Sequence, residues 1–317
     1  MTRREFMLGS LGLVSSAALG GDKPAEEPSI FSRRGKWERL TLSYQHVPIG
    51  LEAPFSILHI SDTHLTAAYP HEPPVKQKLA GIRTATFGGQ QEQALADSLA
   101  WAKKNVDCVL HTGDLIDWQS EANFDLARKY FGDIALVAVG NHEYSRSMWL
   151  ADPKETPTEA FKAESSGALA AACPFDVSFH TETVKGVNFV MLDDVYGTVT
   201  ERQVERFAAE VKKGLPIVLC MHVPIYTDLV WRATCKYWRG GKRYTSSALP
   251  EPGGDCLRQR TDKVTQDFVA MLKSEKLLKA VLAGHLHLAV QDRISPTAMQ
   301  YVVGGNYLFH GQEVLFT

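Results

Sequence analysis

No Cys-x-x-Cys pair occurs among the five cysteines of this 317-residue chain, so a zinc ribbon and a thioredoxin-like centre are excluded. No excess of charge is present either. The formal net charge of −2 gives no electrostatic footprint for nucleic acid or for an anionic membrane surface. No internal repeat is visible. No apolar run is long enough for a comfortable bilayer span, which takes about 20 residues. The run from Leu8 to Leu19 is shorter than that and is interrupted by Gly and Ser. No cysteine follows this run, which argues against a lipid anchor, so no stable membrane attachment is expected.

What is present at the start is Arg3-Arg4-Glu5-Phe6-Met7 ahead of that apolar run. This resembles a bacterial twin-arginine export signal. Residues 1–20 are read as the signal peptide, with cleavage after Gly20, and export to the periplasm or medium is expected. Residues 21–39, rich in Pro, Glu, Ser and Arg, read as a linker. Residues 40–317 read as one domain, with 44% hydrophobic residues over the chain to fill its core.

Within that domain, apolar runs alternate with amphipathic ones. Strands are expected at Leu40–His46, Phe55–Ile60, Cys108–His111, Ile134–Val139, Val177–Thr181, Val187–Leu192, Pro216–Met221 and Ala280–Ala283. Three more close the chain, at Val290–Ile294, Met299–Val303 and Glu313–Phe316. Helices are expected at Gln90–Lys104, Ala122–Phe131, Thr158–Glu164, Thr200–Lys213 and Thr261–Lys276. Tyr69–Gly89 reads as a Pro- and Gly-rich loop, and Ile225–Arg260 as a long loop. The pattern is mixed α/β.

Eleven histidines are the informative residue type. Five apolar strands each end in a polar cluster: Asp62/His64, Asp114, Asn141/His142, His222 and His285/His287. In open α/β sheets, ligands bind beyond the carboxyl ends of strands, so five such ends bring these residues together. Two aspartates, one asparagine and four histidines form a nitrogen and oxygen donor set without sulfur. Such a set suits Mn, Fe, Zn, Ni or Co rather than Ca. Two divalent ions about 3.5–4 Å apart need an anionic bridge between them. Asp114, on the turn after its strand, is the candidate. Burying these groups unpaired would be costly, which favours a metal site over a set of core histidines. His59 and His111 lie within strands and read as core or supporting histidines. His46, His180 and His310 carry no motif, and His71 is a secondary candidate for reaching substrate.

Asp62-x-His64, Gly113-Asp114-x-x-Asp117, Gly140-Asn141-His142-Glu143, His222 and Gly284-His285-x-His287 occur in the order found in calcineurin-like metallophosphoesterases, which this chain resembles from Ser61 to His287. The resemblance implies a four-layer α/β/β/α sandwich of two mixed sheets flanked by helices. It implies two divalent transition-metal ions of open identity, Mn, Fe, Zn or Ni. Asp62, His64 and His287 would hold one, Asn141, His222 and His285 the other, and Asp114 would bridge. The implied activity is hydrolysis of a small phosphomonoester or phosphodiester by a metal-activated hydroxide. His142 would protonate the leaving group, with Asp62 as the expected carboxylate orienting it, and Asn141 and His142 would both face substrate. Asp117 and Glu143 would support the ligands from behind. Purple acid phosphatases carry a tyrosine where Asp117 stands, so a ferric–tyrosinate centre is not expected. A capping loop at about residues 225–260 is expected to overhang the site, with Tyr237 and Arg239 as substrate contacts and Cys235 and Cys256 as a candidate disulfide. Two other readings compete: a non-catalytic metal-binding scaffold of the same fold, and a nuclease, which the charge does not favour.

Overall fold

Period-two alternation along the buried strands sorts their side chains into separate layers. Residues 39–148, 155, 158–238 and 262–317 are described by the computed structural model. With strands and helices numbered in chain order, one sheet has the spatial order β1 (Thr41–Val47), β11 (His310–Phe316), β2 (Phe55–Ile60), β3 (Cys108–Thr112), β4 (Leu136–Ala138). The other runs β5 (Phe179–Val184), β6 (Val187–Leu192), β7 (Ile217–Cys220), β8 (Leu278–Ala283), β10 (Met299–Val302), β9 (Val290–Arg293). Both sheets are mixed. The β2–β3–β4 and β6–β7–β8–β10 blocks are parallel, while β11 meets β2 and β5 meets β6 antiparallel.

Phe55 and Ile57 of β2, Leu110 of β3 and Val314 of β11 face Phe189 and Met191 of β6, Val218 of β7 and Leu282 of β8 across the layer between the sheets. The alternate residues Leu58, Ile60, Val109 and Val137 turn outward onto helices α2 (Gln91–Asn105) and α3 (Glu121–Tyr130). On the far side Val190, Leu219 and Val281 pack on α5 (Glu201–Val211) and α7 (Lys263–Ser274) through Phe207, Phe268 and Leu272. The result is the four-layer sandwich. Because β2, β6 and β7 are buried on both faces, they read as continuous apolar runs rather than as alternating ones. Each fully buried Leu, Ile, Val or Phe contributes about 1.5–3 kcal/mol of transfer free energy. Local signals agree with this packing. Ser120 caps α3 by accepting from the Asn123 amide, and Thr200 and Gln203 form a reciprocal capping box on α5.

Two stretches expected as loops contain helix. Residues 74–86 form α1 (Pro74–Thr86), begun by a proline in its first turn, where a missing N–H costs nothing. Leu79 is its one buried residue, so the helix has almost no apolar stripe to betray it. The long segment after His222 begins with α6 (Asp228–Tyr237), capped by Thr227 and anchored by Val230 and Thr234. Residues 239–261, the rest of that segment, lie outside the described residues, and so do Arg239 and Cys256. Helix α4 (Glu159–Ala172) runs eight residues beyond its expected end at Glu164, through Gly167. Among the described residues no helix is long and apolar enough to cross a membrane.

Candidate metal centre

The candidate residues emerge from the carboxyl ends of β2, β3, β4, β7 and β8, and the backbone there is bent sharply. Asp62, His64, Asp114, His285 and His287 all have positive φ, between 53° and 70°. Such conformations are uncommon for residues with a Cβ, cost of order 1–3 kcal/mol each, and cluster at functional sites. Two glycines let the bends approach one another. A Cβ on Gly140 would collide with the carboxylate and the amide nitrogen of Asp114, and one on Gly284 would collide with Ser61 and with Asp62 Oδ2.

These bends aim the side chains at one place. Donor atoms of Asp62, His64, Asp114 and His287 lie within 4.8 Å of one another, and so do those of Asp114, His222 and His285. Asp114 belongs to both groups. Its Oδ2 is 3.2 Å from His222 Nε2 and 3.8 Å from His64 Nε2. His64 Nε2 faces His287 Nε2 at 3.1 Å, and His285 Nδ1 faces His222 Nε2 at the same distance. Asp62 Oδ1 is 3.2 Å from His287 Nε2. Asp62 Oδ1 and Asn141 Oδ1 are buried with no hydrogen-bond donor among the described residues. Buried acceptors without donors, beside imidazole nitrogens that converge pairwise, are the arrangement a cation completes. The residues present therefore fit a pair of divalent ions with nitrogen and oxygen ligation.

Tautomers are fixed from behind. His222 Nδ1 donates to the Thr112 carbonyl at 2.7 Å, leaving Nε2 toward Asp114. Its backbone N–H and that of Val223 donate to Asp194 Oδ1, both at 3.1 Å. His64 Nδ1 donates to Asp117 Oδ1 at 2.9 Å, leaving Nε2 toward the first group. Glu143 accepts the backbone N–H groups of Asp114, Ile116 and Gly140, tying the β3 and β4 ends together. The Asp62 carboxylate accepts the His285 amide at 2.9 Å.

The electrostatics show an excess of buried negative charge. Burial alone would push the His222 imidazole down, but the Asp114 carboxylate beside it raises it to about 10. Burial opposes protonation of His142 too, and Asp114 with Asp117 outweighs it, raising His142 to about 9. Asp114 is favoured toward its neutral form by burial, yet the His222 and His142 charges hold it well below the usual carboxylate range. Burial pushes His64 down to about 4 and Asp194 up to about 7. Protons on two histidines thus balance carboxylates that divalent cations would balance instead.

The structure brings Asp62, His64, Asp114, His222, His285 and His287 together, with Asn141 buried at the β4 end. His142 and Asp117 join the margin of the first group, within reach of His64. One expectation changes. His142 Nδ1 meets Asp117, 2.9 Å from its Oδ1 and 3.0 Å from its main-chain carbonyl, and not Asp62, whose oxygens are directed to His287 and the His285 amide. Tyr237 ends α6, is 44% exposed and packs edge-on against Trp238. Among the described residues of that segment Trp238 reaches the centre, donating from its indole to the Leu286 carbonyl, with its ring 6.1 Å from that of His287. His71 pairs with Glu121 at the surface. His59 and His111 are buried and bond Thr112 and Thr63, consistent with supporting roles.

Four contributors were not singled out by sequence. Arg83 donates twice to Asp117, Phe87 stacks on His64 with ring centroids 4.4 Å apart, Tyr307 lies 3.3 Å from His287 Nδ1, and Asp194 anchors the His222 backbone. A signal existed for Asp194: it follows the apolar run Val187–Leu192 as Asp62 follows Phe55–Ile60. For Arg83 and Phe87 the Pro and Gly residues of Tyr69–Gly89 hide the signal, since they give that stretch the pattern of a loop.

No curated protein matches the chain in sequence. Among solved structures it is similar to a dimetal phosphatase from Danio rerio, at 14% identity and a TM-score of 0.46, covering 80% of this chain and 88% of that one. It is similar to a purple acid phosphatase from yellow lupin (Lupinus luteus) seeds, at 14% identity and a TM-score of 0.45, covering 80% of this chain but 44% of that one. A phosphopantetheinyl hydrolase from Mycobacterium tuberculosis matches at 14% identity and a TM-score of 0.39, covering 83% and 92%. The model of one family, described as calcineurin-like phosphoesterase, matches residues 55–289, well over half the chain and all five strand-end clusters. The chain therefore belongs to the calcineurin-like phosphoesterase family and is a metal-dependent phosphoric ester hydrolase.

Proposed function

We propose that this protein is an exported hydrolase of small phosphomonoesters or phosphodiesters that works with two divalent transition-metal ions. The observation that carries the reading is the position of Asp114, common to two groups of donor atoms that otherwise share no residue. Asp62, His64 and His287 would hold one ion with Asp114, and Asn141, His222 and His285 the other. Bound there, the two ions would supply an activated water nucleophile and offset the charge that develops on the phosphoryl oxygens.

The chain's own residues account for the rest. Asp117 holds His142 by Nδ1, which leaves Nε2 to carry the proton that the leaving oxygen takes as its bond to phosphorus breaks. The His142 side chain is 13% exposed, open enough to meet a substrate and buried enough to stay fixed. Glu143 ties the Asp114 turn to the Asn141 turn through three backbone amides, so the two ligand groups keep a constant separation. Trp238 brings an aromatic face near His287, suited to an ester carrying a flat group.

Purified protein reconstituted with Mn²⁺ should hydrolyse an aryl or alkyl ester from a panel of monoesters, diesters and nucleotides. Full metal occupancy with no turnover on any of them would leave the scaffold reading. Salt-sensitive binding of single-stranded DNA would favour a nuclease. Export is part of the proposal and rests on Arg3-Arg4 ahead of the apolar run, residues that lie outside the described part of the structure. Replacing both arginines by lysine should retain the protein in the cytoplasm, and unchanged export would remove that element.

A further inference from the structure

Asp117 serves two imidazoles with one oxygen. Its Oδ1 is 2.9 Å from Nδ1 of His64 and 2.9 Å from Nδ1 of His142, which also meets the Asp117 main-chain carbonyl at 3.0 Å, so the carboxylate sets the plane of a ring that the main chain helps to hold. A carboxylate turns easily about its last torsion, and a turn here would offer the wrong oxygen to one ring or both. Arg83 opposes that rotation. Its Nε donates to Asp117 Oδ2 at 2.6 Å and its Nη2 donates to Oδ1 at 3.0 Å. The fork is planar and rigid, so two contacts fix the plane of the carboxylate as well as its charge. Asp117 is fully buried and the Arg83 side chain is 19% exposed.

The helix carrying Arg83 is fastened to the loops it serves. Lys76 donates to the carbonyls of Gln119 and Arg146, beyond β3 and β4. Leu79 packs with Trp118 and Met148 in a small apolar cluster over the same two loops. The Arg83 guanidinium also lies 4.8 Å from the Phe87 ring, which stacks in turn on His64. Arg83 is thus held from its own helix while it grips Asp117.

We infer that Arg83 is a positioning residue for leaving-group protonation, locking the Asp117 carboxylate so that His142 and His64 are held in register at the same time. The inference rests on the proposed role of His142 as proton donor. It differs from a role in which Arg83 binds the substrate phosphoryl group directly, which would appear in KM.

The test compares wild type, Arg83→Lys, Arg83→Gln and His142→Gln at saturating Mn²⁺, on a nitrophenyl ester and on an alkyl ester. The lysine variant keeps a positive charge but loses the fork, and it remains informative if the glutamine variant at position 83 fails to fold. A nitrophenolate departs without a proton and an alkoxide does not. Arg83→Lys should therefore lower kcat about 100-fold on the alkyl ester and less than about tenfold on the nitrophenyl ester, with KM unchanged. A second readout needs no turnover. In metal-free protein the downfield Nδ1–H proton resonance of His142, assigned by its loss in His142→Gln, should shift or broaden in Arg83→Lys. A raised KM with kcat retained, an equal loss on both esters, or an unmoved resonance would overturn the inference. If wild type hydrolyses neither ester, or if His142→Gln shows the wild-type preference between them, the proposed function fails instead.

Discussion

The two halves of the candidate centre are built from different materials. In the His222/His285 half the main chain holds the imidazole: the Thr112 carbonyl takes the His222 Nδ1 proton, while the Asp194 carboxylate fixes the His222 backbone N–H rather than its ring. In the His64/His287 half side chains do it. Asp117 takes His64 Nδ1, the Tyr307 hydroxyl meets His287 Nδ1, and Phe87, Tyr307 and Trp238 stand around the two rings. A half held by backbone is hard to perturb by substitution, whereas a half held by side chains can be loosened one group at a time. The His222/His285 half is therefore expected to keep its ion while the His64/His287 half is taken apart. Asp114 belongs to both and is the one position at which the contrast should vanish.

The largest effect is expected there. Asp114→Ala should remove both ions from purified protein by elemental analysis and lower phosphoesterase activity by on the order of 10³-fold or more. Retention of both ions would show that the halves do not depend on a shared carboxylate. His142→Ala comes next. With Asp117 left behind, activity should fall by roughly 10²–10⁴-fold while metal content is unchanged, measured by turnover and elemental analysis together.

Asp117→Asn sharpens the contrast directly. It should weaken the ion of the His64/His287 half about 10–100-fold in a metal titration and leave the other ion alone. Equal weakening of both would mean that the backbone-held half is no more independent than its neighbour. Trp238→Phe should be the mildest. It removes one indole hydrogen bond to the Leu286 carbonyl, worth about 1 kcal/mol, and should appear as a small shift in a denaturant midpoint with both ions bound.

The same contrast explains what the sequence made legible. Strands such as Phe55–Ile60 and Ile217–Cys220 are unbroken apolar runs, so the sheet scaffold and the strand ends could be read directly. Glu143 is legible because it stands in Gly140-Asn141-His142-Glu143 at the β4 end, although two of the three amides it collects belong to the β3 end. The hidden groups reach the site from elsewhere in the chain. Arg83 comes from a helix with one buried residue, where Pro and Gly obscured the period. Tyr307 comes from a single-turn 3₁₀ helix, which has no amphipathic signature. The positive φ values at Asp62, His64, Asp114, His285 and His287 also leave no mark in a sequence, because tertiary contacts impose them against local preference. The misassigned partner of His142 has a related cause. Asp62 and Asp117 both follow strands, and the strand order, which sets β3 and not β2 beside β4, brings Asp117 to His142 Nδ1.

The account stands on Asp114 lying between two cations, and a crystal of the purified protein equilibrated with Mn²⁺ tests this by anomalous scattering. Two peaks are predicted, about 3.5–4 Å apart, one on each side of the Asp114 carboxylate. A single peak, or two peaks of which neither touches Asp114, would contradict it.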